Sequence, residues 1–285
     1  MTLSASEVNR LLRERGIKPS RALGQNFVVD ANTVRRVARL AGIGEGDRVV
    51  EVGAGLGSLT LALAETGAEV TAIERDRAVI GALREVVAKR AGEAKVNVVE
   101  ADAMALDWAQ LLAPGGPWSL VANLPYNIAT PLIADLLDGV PQLERMLVMV
   151  QREVAERLAA RPGAAAYGAV SVKVGYWAEA ELLGPVPASV FLPRPGVSSA
   201  LVRLVRRQVP AVAPDVATPD QLFSLVRAGF AQRRKMLRRA LSGLVLPDEV
   251  WSVAGIAPSQ RAEELSVVDW GRLAGAVMRA GVVPP

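Results

Sequence analysis

Apolar positions fall along this chain in two ways: in short β-branched runs, and in longer stretches where they recur every three or four residues. The short runs are RVVEVG (48–53), EVTAIE (69–74), VNVVE (96–100), WSLVAN (118–123) and MLVMVQ (146–151). Between them, segments such as Leu59 to Thr66 and Arg77 to Ala91 carry Ala, Leu and charged residues at helical spacing. Strands alternating with helices predict an α/β fold, a parallel sheet with helices on both faces. The strands are apolar almost throughout, as central parallel strands buried on both sides should be. Past residue 160 the pattern predicts a helix near Tyr167 to Trp177. Two further strands, 180–185 and 197–206, are joined by the proline-rich PVPASVFLPRPG.

After residue 206 the pattern turns to helix alone. RRQVPAVAPDVATPD (206–220) reads as a linker, and its end is a helix start: Thr218 as N-cap, Pro219 at the first helical position, and Gln221 three residues after the cap. Leu222, Val226, Phe230, Leu237 and Leu241 then recur at multiples of three or four and predict one apolar face. The expected division is therefore an α/β domain over 1–206, with a basic amino-terminal arm, and a small all-helical domain over 207–285.

Composition narrows the chemistry. With 285 residues, 51% hydrophobic, the chain can bury a substantial core and a smaller second one. A net charge of +4 favours a polyanionic partner over an acidic small molecule. The chain has no cysteine and no histidine, which removes disulfides, thiolate nucleophiles, imidazole bases and the usual zinc ligands together. The start MTLSASEVNRLLRERG lacks an apolar h-region, and no stretch offers the roughly 18 consecutive apolar residues of a membrane span. A soluble cytoplasmic protein is expected.

In EVGAGLGSLT, Gly53, Gly55 and Gly57 follow the first strong strand and precede a helix. Glycines there permit positive φ and let the backbone approach a ligand closely. The spacing is G-x-G-x-G rather than the dinucleotide fingerprint G-x-G-x-x-G, and Ser58 holds the sixth position. Glu74 ends the next strand, where a carboxylate can accept from both hydroxyls of a ribose. On its own it is equally a solvated strand-end charge. Asp102 follows the third strand and Asn123 ends the fourth. In a doubly wound sheet the strand carboxyl ends form the ligand crevice, so Gly53, Glu74, Asp102 and Asn123 are expected to converge on a nucleoside-like ligand. These positions alone do not separate S-adenosylmethionine from a dinucleotide.

NLPYNIATP (123–131) adds a corner with chemistry of its own. The exocyclic nitrogen of adenine is a poor nucleophile because its lone pair is delocalised into the ring. Two acceptors, the Asn123 side-chain carbonyl and the Leu124 main-chain carbonyl, can each take one of its hydrogens and direct the lone pair at an electrophile. Pro125 biases Leu124 to extended conformations and so restricts where that carbonyl points. Tyr126 supplies a face on which a base can stack. Toward a sulfonium no strong base is needed, which suits a chain without histidine.

With these motifs in order, the chain resembles the small-subunit ribosomal RNA adenine N6,N6-dimethyltransferases. The resemblance runs through RALGQNFVVD, EVGAGLGSLT, ADAM, NLPYNIATPL, VQREVAERLAA, YGAVSV, FLPRPGVSSALVRL, FAQRRKMLRRAL and RAEELS, nearly the whole chain. It implies a Rossmann-like class I methyltransferase sheet, S-adenosylmethionine as cofactor, and dimethylation of two adjacent adenines of small-subunit ribosomal RNA, or of the pre-ribosomal particle, as part of subunit maturation. It implies further that Asn26, Val28, Gly53, Gly55, Glu74, Asp102 and Asn123 hold the cofactor. Asn123 would also serve the target, with Leu124, while Tyr126 and Phe191 sandwich the target base. Val28 stands where the family pattern has Leu, and SVF (189–191) where it has SAF. A monomer without metal or membrane attachment is implied.

FAQRRKMLRR places Arg227, Arg234 and Arg238 near one another around a helix, as a phosphate-contacting stripe or a solvated face. Arg10, Arg13, Arg15, Lys18 and Arg21 make the amino-terminal arm basic. Two other readings compete: a macrolide-resistance type methyltransferase acting on large-subunit RNA, and a ribosome-assembly binding factor with a vestigial catalytic corner. FLPRPGVSSALVRL and RAEELS fit the small-subunit group better, and the intact Asn123 to Tyr126 corner argues against lost chemistry. A nicotinamide oxidoreductase fits worst, for its glycine spacing is wrong.

Overall fold

The computed structural model describes residues 2–20, 24–112 and 116–282. The chain opens with α1 (Ala5–Glu14), started by a capping box in which Ser4 accepts from the Glu7 N–H and the Glu7 carboxylate accepts from the Ser4 N–H. Val8, Leu11 and Leu12 are buried beneath it. The expected arm is thus partly a packed helix. Arg10 pairs with Glu14 at 3.3 Å and Arg15 pairs with Glu85, while Arg21 lies outside the described residues.

There follow β1 (Phe27–Val28), α2 (Ala31–Ala41), β2 (Arg48–Val52), α3 (Ser58–Ala64), β3 (Glu69–Glu74), α4 (Arg77–Arg90), β4 (Val96–Glu100), α5 (Trp108–Leu111), β5 (Trp118–Asn123), α6 (Ala129–Gly139), β6 (Leu143–Gln151), α7 (Arg152–Leu158), α8 (Ala169–Trp177), β7 (Ala178–Val186), β8 (Phe191–Leu192) and β9 (Ser199–Arg206). Among the described residues seven strands make one sheet in the order β4-β3-β2-β5-β6-β9-β7, flanked by helices. β4, β3, β2, β5 and β6 run parallel, and β9 pairs antiparallel with β6. A separate two-stranded ribbon sets β1 against β8, Phe27 opposite Leu192 and Val28 opposite Phe191. The main strands lie where the β-branched runs predict them.

The last part of the chain is α9 (Pro219–Ala231), α10 (Leu237–Ala240), α11 (Asp248–Ala254) and α12 (Val267–Arg279). The Thr218–Gln221 capping box starts α9 as expected. The helix stops at Ala231, so Leu237 and Leu241 do not continue its apolar face. Met236 instead bridges to Arg261 and the Leu237 N–H donates to the Gln260 carbonyl at 2.7 Å, which takes the chain off the helical path.

The structure resolves into two compact units, one of residues up to 155 with 181–205, the other of 156–180 with 206 onward. A single boundary at 206 therefore does not describe it, because α8 belongs with the later helices. Tyr176 of α8 is fully buried and meets Phe223 of α9 edge-on, 5.2 Å between ring centroids. In the same unit Trp270 is fully buried, and a Cβ on Gly229 would lie 2.5 Å from its ring, so that glycine sets how closely α9 and α12 approach. Among the described residues no helix is long and apolar enough to cross a membrane.

Candidate active site

The chain leaves β2 for β3 and β4 on one side, and only later crosses to β5 and β6 on the other. The carboxyl ends of β2 and β5 therefore flank a topological switch point, where α/β sheets open a ligand crevice. A pocket lies there. Its lining includes Asn26, Val28, Gly53, Gly55, Glu74, Asp102 and Asn123, so the sequence-expected cofactor residues are brought together in one place.

The glycine loop is tied to β3 from both sides. The Gly53 and Ala54 N–H groups donate to the Ile73 carbonyl at 2.9 and 3.1 Å, and the Gly55 N–H donates to Glu74 Oε2 at 2.9 Å. Gly53 and Gly55 take φ of 73° and 58°, which L side chains rarely adopt. Added Cβ atoms would meet Pro125 at 3.2 Å and the Phe27 ring at 3.0 Å, so the loop packs directly against the other two walls of the pocket.

Glu74 is buried, and its second oxygen accepts from the Arg75 and Asp76 N–H groups at 2.9 Å each. Burial raises its pKa, and these three N–H donors oppose the rise. Oε1 already accepts two bonds, whereas Oε2, which accepts one, keeps a lone pair for a further donor. Asp102 accepts from the Met104 N–H at 3.0 Å and pairs with Arg75 at 3.0 Å.

Glu51 is a pocket residue that sequence reading overlooked. It is 2% exposed, and Thr60 Oγ1 donates to it at 2.5 Å. Burial pushes its pKa up to about 8, and the neighbouring Glu74 charge adds to the rise. The signal was available: a carboxylate in the otherwise apolar RVVEV run needs a reason to be there. The ionisable groups lining the pocket are then Glu51, kept protonated by burial, Glu74 and Asp102, with Arg75 already paired to Asp102. Such a lining suits a ligand with cationic groups and repels a diphosphate, so it fits S-adenosylmethionine and disfavours a dinucleotide.

The corner after β5 is anchored at both ends. The Leu124 N–H donates to the Met149 carbonyl at 3.0 Å, and the Pro125 carbonyl accepts from Ile128 and Ala129 at 3.1 and 3.2 Å. Asn123 Nδ2 donates to the Asn26 carbonyl at 2.9 Å, which fixes the amide's orientation and leaves Oδ1 as its open end. Among the described residues no group donates to Asn123 Oδ1 or to the Leu124 carbonyl. Asn123 thus brings an open acceptor to the pocket lining, and the Leu124 carbonyl follows it in the chain. Leu124 is buried as a whole residue, so its side chain is core and its carbonyl is its only polar group beyond the N–H already given to Met149.

The Tyr126 hydroxyl lies 2.7 Å from Ser199 Oγ, a partner that sequence reading also missed. Burial raises the Tyr126 pKa, so the ring stays neutral. Phe191 is 3% exposed, packed in the cluster that holds Val28, Val34 and Leu201. It lies opposite Val28 across the β1–β8 ribbon.

The arginine stripe is corrected. Arg227, Arg234 and Arg238 are all exposed, but they sit on α9, on the turn after it and on α10, not around one helix. Neighbouring Arg233 pairs with Glu263 at 2.6 Å.

The model of the family described as ribosomal RNA adenine dimethylase matches residues 17–277. The chain belongs to the ribosomal RNA adenine dimethylase family. It is 46% identical over 291 residues to the ribosomal RNA small subunit methyltransferase A of Cutibacterium acnes, covering 99% of this chain and 96% of that one. To the protein of the same name from Kineococcus radiotolerans it is 48% identical over 277 residues, 95% of this chain and 90% of that one. Among solved structures, a dimethyladenosine transferase from Plasmodium falciparum shares the fold, with a TM-score of 0.76 at 22% identity over 90% of this chain and 98% of that one. The 23S rRNA methyltransferase ErmE aligns with a TM-score of 0.69 at 26% identity over 89% of this chain and all of that one.

Proposed function

We propose that this chain transfers methyl groups from S-adenosylmethionine to the N6 atoms of two adjacent adenines in small-subunit ribosomal RNA, as a step in subunit maturation. The observation that carries the reading is the unengaged acceptor Asn123 Oδ1, oriented by the Asn26 carbonyl and lining an acidic pocket. The identities of 46% and 48% to small subunit methyltransferases, against 26% to the 23S enzyme, favour the small-subunit target over the large-subunit one.

When bound, the cofactor supplies a methyl group on a sulfonium, already activated for displacement. The chain's own groups hold and aim. Glu74 receives the ribose hydroxyls, and Asp102 the adenine edge of the cofactor. Glu51, held protonated by burial, can release its proton when a cation enters the pocket. In the first transfer Asn123 Oδ1 and the Leu124 carbonyl would each take one hydrogen of the target N6, turning its lone pair toward the methyl carbon; in the second the one remaining hydrogen would go to one of them, and each transfer releases a proton to solvent. Such alignment can be worth on the order of 7–11 kcal/mol of the barrier. Tyr126 stacks on the target base once it has left its own stack. Arg227, Arg234 and Arg238 contact phosphates as separate points rather than as one stripe. The protein acts as a cytoplasmic monomer, and no step calls for a metal.

The test is mass spectrometry of small- and large-subunit ribosomal RNA from ribosomes that lack the modification, after incubation of both subunits with the protein and methyl-labelled S-adenosylmethionine. Labelled N6,N6-dimethyladenosine in small-subunit RNA is expected. Label in large-subunit RNA alone, or none, would overturn the reading.

A further inference from the structure

Asn123 depends on Asn26 for its orientation, which raises the question of what holds Asn26. Its carbonyl belongs to a short segment, Gly24 to Phe27, laid against the catalytic corner. A Cβ on Gly24 would meet Asn127 Oδ1 at 3.0 Å, the Tyr126 nitrogen at 3.2 Å and Pro125 Cβ at 3.4 Å, so this segment lies flush on the corner. Beyond the Asn123 bond itself, the Asn26 side chain bonds back to the Gly24 carbonyl at 3.1 Å and Phe27 pairs with Leu192 in the β1–β8 ribbon, but neither contact ties the segment to the β3 side of the pocket.

Gln25 supplies the tie. Its Oε1 accepts from the Ser20 N–H at 2.8 Å, and its own N–H donates to the Ser20 carbonyl at 3.1 Å. Its Nε2 donates to Asp76 Oδ2 at 2.6 Å. Asp76 is fixed in turn: Oδ1 caps α4 through the Ala78 N–H at 2.9 Å, and its N–H donates to Glu74. Both ends of the Gln25 amide are engaged, each in the sense its chemistry requires. The connection runs from Glu74 through Asp76 and Gln25 to the peptide that orients Asn123.

We propose that Gln25 is a positioning residue for methyl transfer: by clasping the Gly24–Phe27 segment to Asp76, it holds the Asn26 carbonyl where it keeps Asn123 Oδ1 turned to the target nitrogen. Gln25 lines the pocket, but both ends of its amide are engaged by Ser20 and Asp76 rather than turned to a ligand. This rests on the function proposed above, and the test separates the two.

The donor–acceptor sense of the clasp can be inverted. Gln25→Glu sets a carboxylate against Asp76. Asp76→Asn, with its amide oxygen kept on the Ala78 N–H, sets two donors against each other. In the double variant the amide introduced at position 76 donates to the carboxylate introduced at position 25. The other oxygen of that carboxylate still accepts from Ser20, and the clasp re-forms with reversed polarity. Single-turnover methyl transfer is expected to fall roughly 10- to 100-fold in each single variant and to return to within about threefold of wild type in the double, with RNA affinity constant throughout. The side-chain amide of Asn123, followed by nuclear magnetic resonance without any turnover, should lose exchange protection in Gln25→Glu and regain it in the pair. Wild-type rate in Gln25→Glu, or a double variant no better than the worse single, would overturn the clasp. If the wild type fails to methylate adenine while the Asn123 amide follows the swap, the clasp stands and the proposed function falls.

Discussion

Asn123 Nδ2 donates to the Asn26 carbonyl at 2.9 Å across 97 residues of chain, and this one bond decides which end of the Asn123 amide faces the pocket. An amide is nearly symmetric in shape, but only its oxygen can accept a hydrogen from an adenine amine. The contact therefore converts an ambiguous side chain into an oriented acceptor. It also ties the corner after β5 to the GQNF segment from far upstream.

Glu74 joins the glycine loop to the ligand side of the pocket, since one of its oxygens holds the Gly55 N–H. Glu74→Gln places an NH2 group where a carboxylate oxygen now accepts backbone donors. Affinity for S-adenosylmethionine by titration calorimetry is expected to drop at least about tenfold, about 1.4 kcal/mol. Unchanged affinity would remove Glu74 from the binding pocket.

Glu51 ties stability to pH. Its folded pKa of about 8 lies above the ordinary carboxylate value of 4.5. Between those values the folded protein keeps a proton that the unfolded chain has released, so this group makes stability fall as pH rises through the window. Glu51→Gln cannot ionise and still accepts from Thr60. Its melting temperature, relative to wild type without cofactor, is expected to climb from about pH 5 to about pH 8. A difference that stays constant with pH would contradict the protonated state.

Tyr126 is held by Ser199 at its hydroxyl. Tyr126→Ala removes the stacking face, worth roughly 1–3 kcal/mol, and should raise KM for RNA, while Tyr126→Phe keeps most of the activity. Ser199→Ala should cost only a few-fold, by loosening the ring. Equal activity in Tyr126→Ala and wild type would exclude stacking there.

Arg234 and Arg238 are exposed on consecutive backbone segments of the helical unit. Replacing both with glutamate should weaken RNA binding and flatten its dependence on salt, by about one unit of log–log slope for each phosphate no longer neutralised. A slope that does not change would make both residues plain surface.

Much of the fold was legible because parallel strands announce themselves. RVVEV, EVTAIE, VNVVE and WSLVAN lie within a residue of the observed strands, and the Thr218 cap starts its helix as read. What escaped were relations between distant parts. That α8 packs with α9 is a matter of Tyr176 meeting Phe223, which no local period records. The two-residue ribbon that buries Phe191 is too short to show a pattern. The arginine spacing suggested one helix because period alone does not reveal that Met236 pairs with Arg261 and turns the chain. In the site, residue types at strand ends pointed to the pocket, whereas Glu51 and Ser199 were hidden inside strands that read as core.

The most direct test is the single-turnover rate of methyl transfer to small-subunit RNA by Asn123→Ala, measured beside its RNA affinity. Loss of the oriented oxygen should lower the rate by at least about 100-fold with RNA binding little changed. A variant that still methylates adenine at near the native rate would mean that the amine is activated by something other than the paired oxygens of residues 123 and 124.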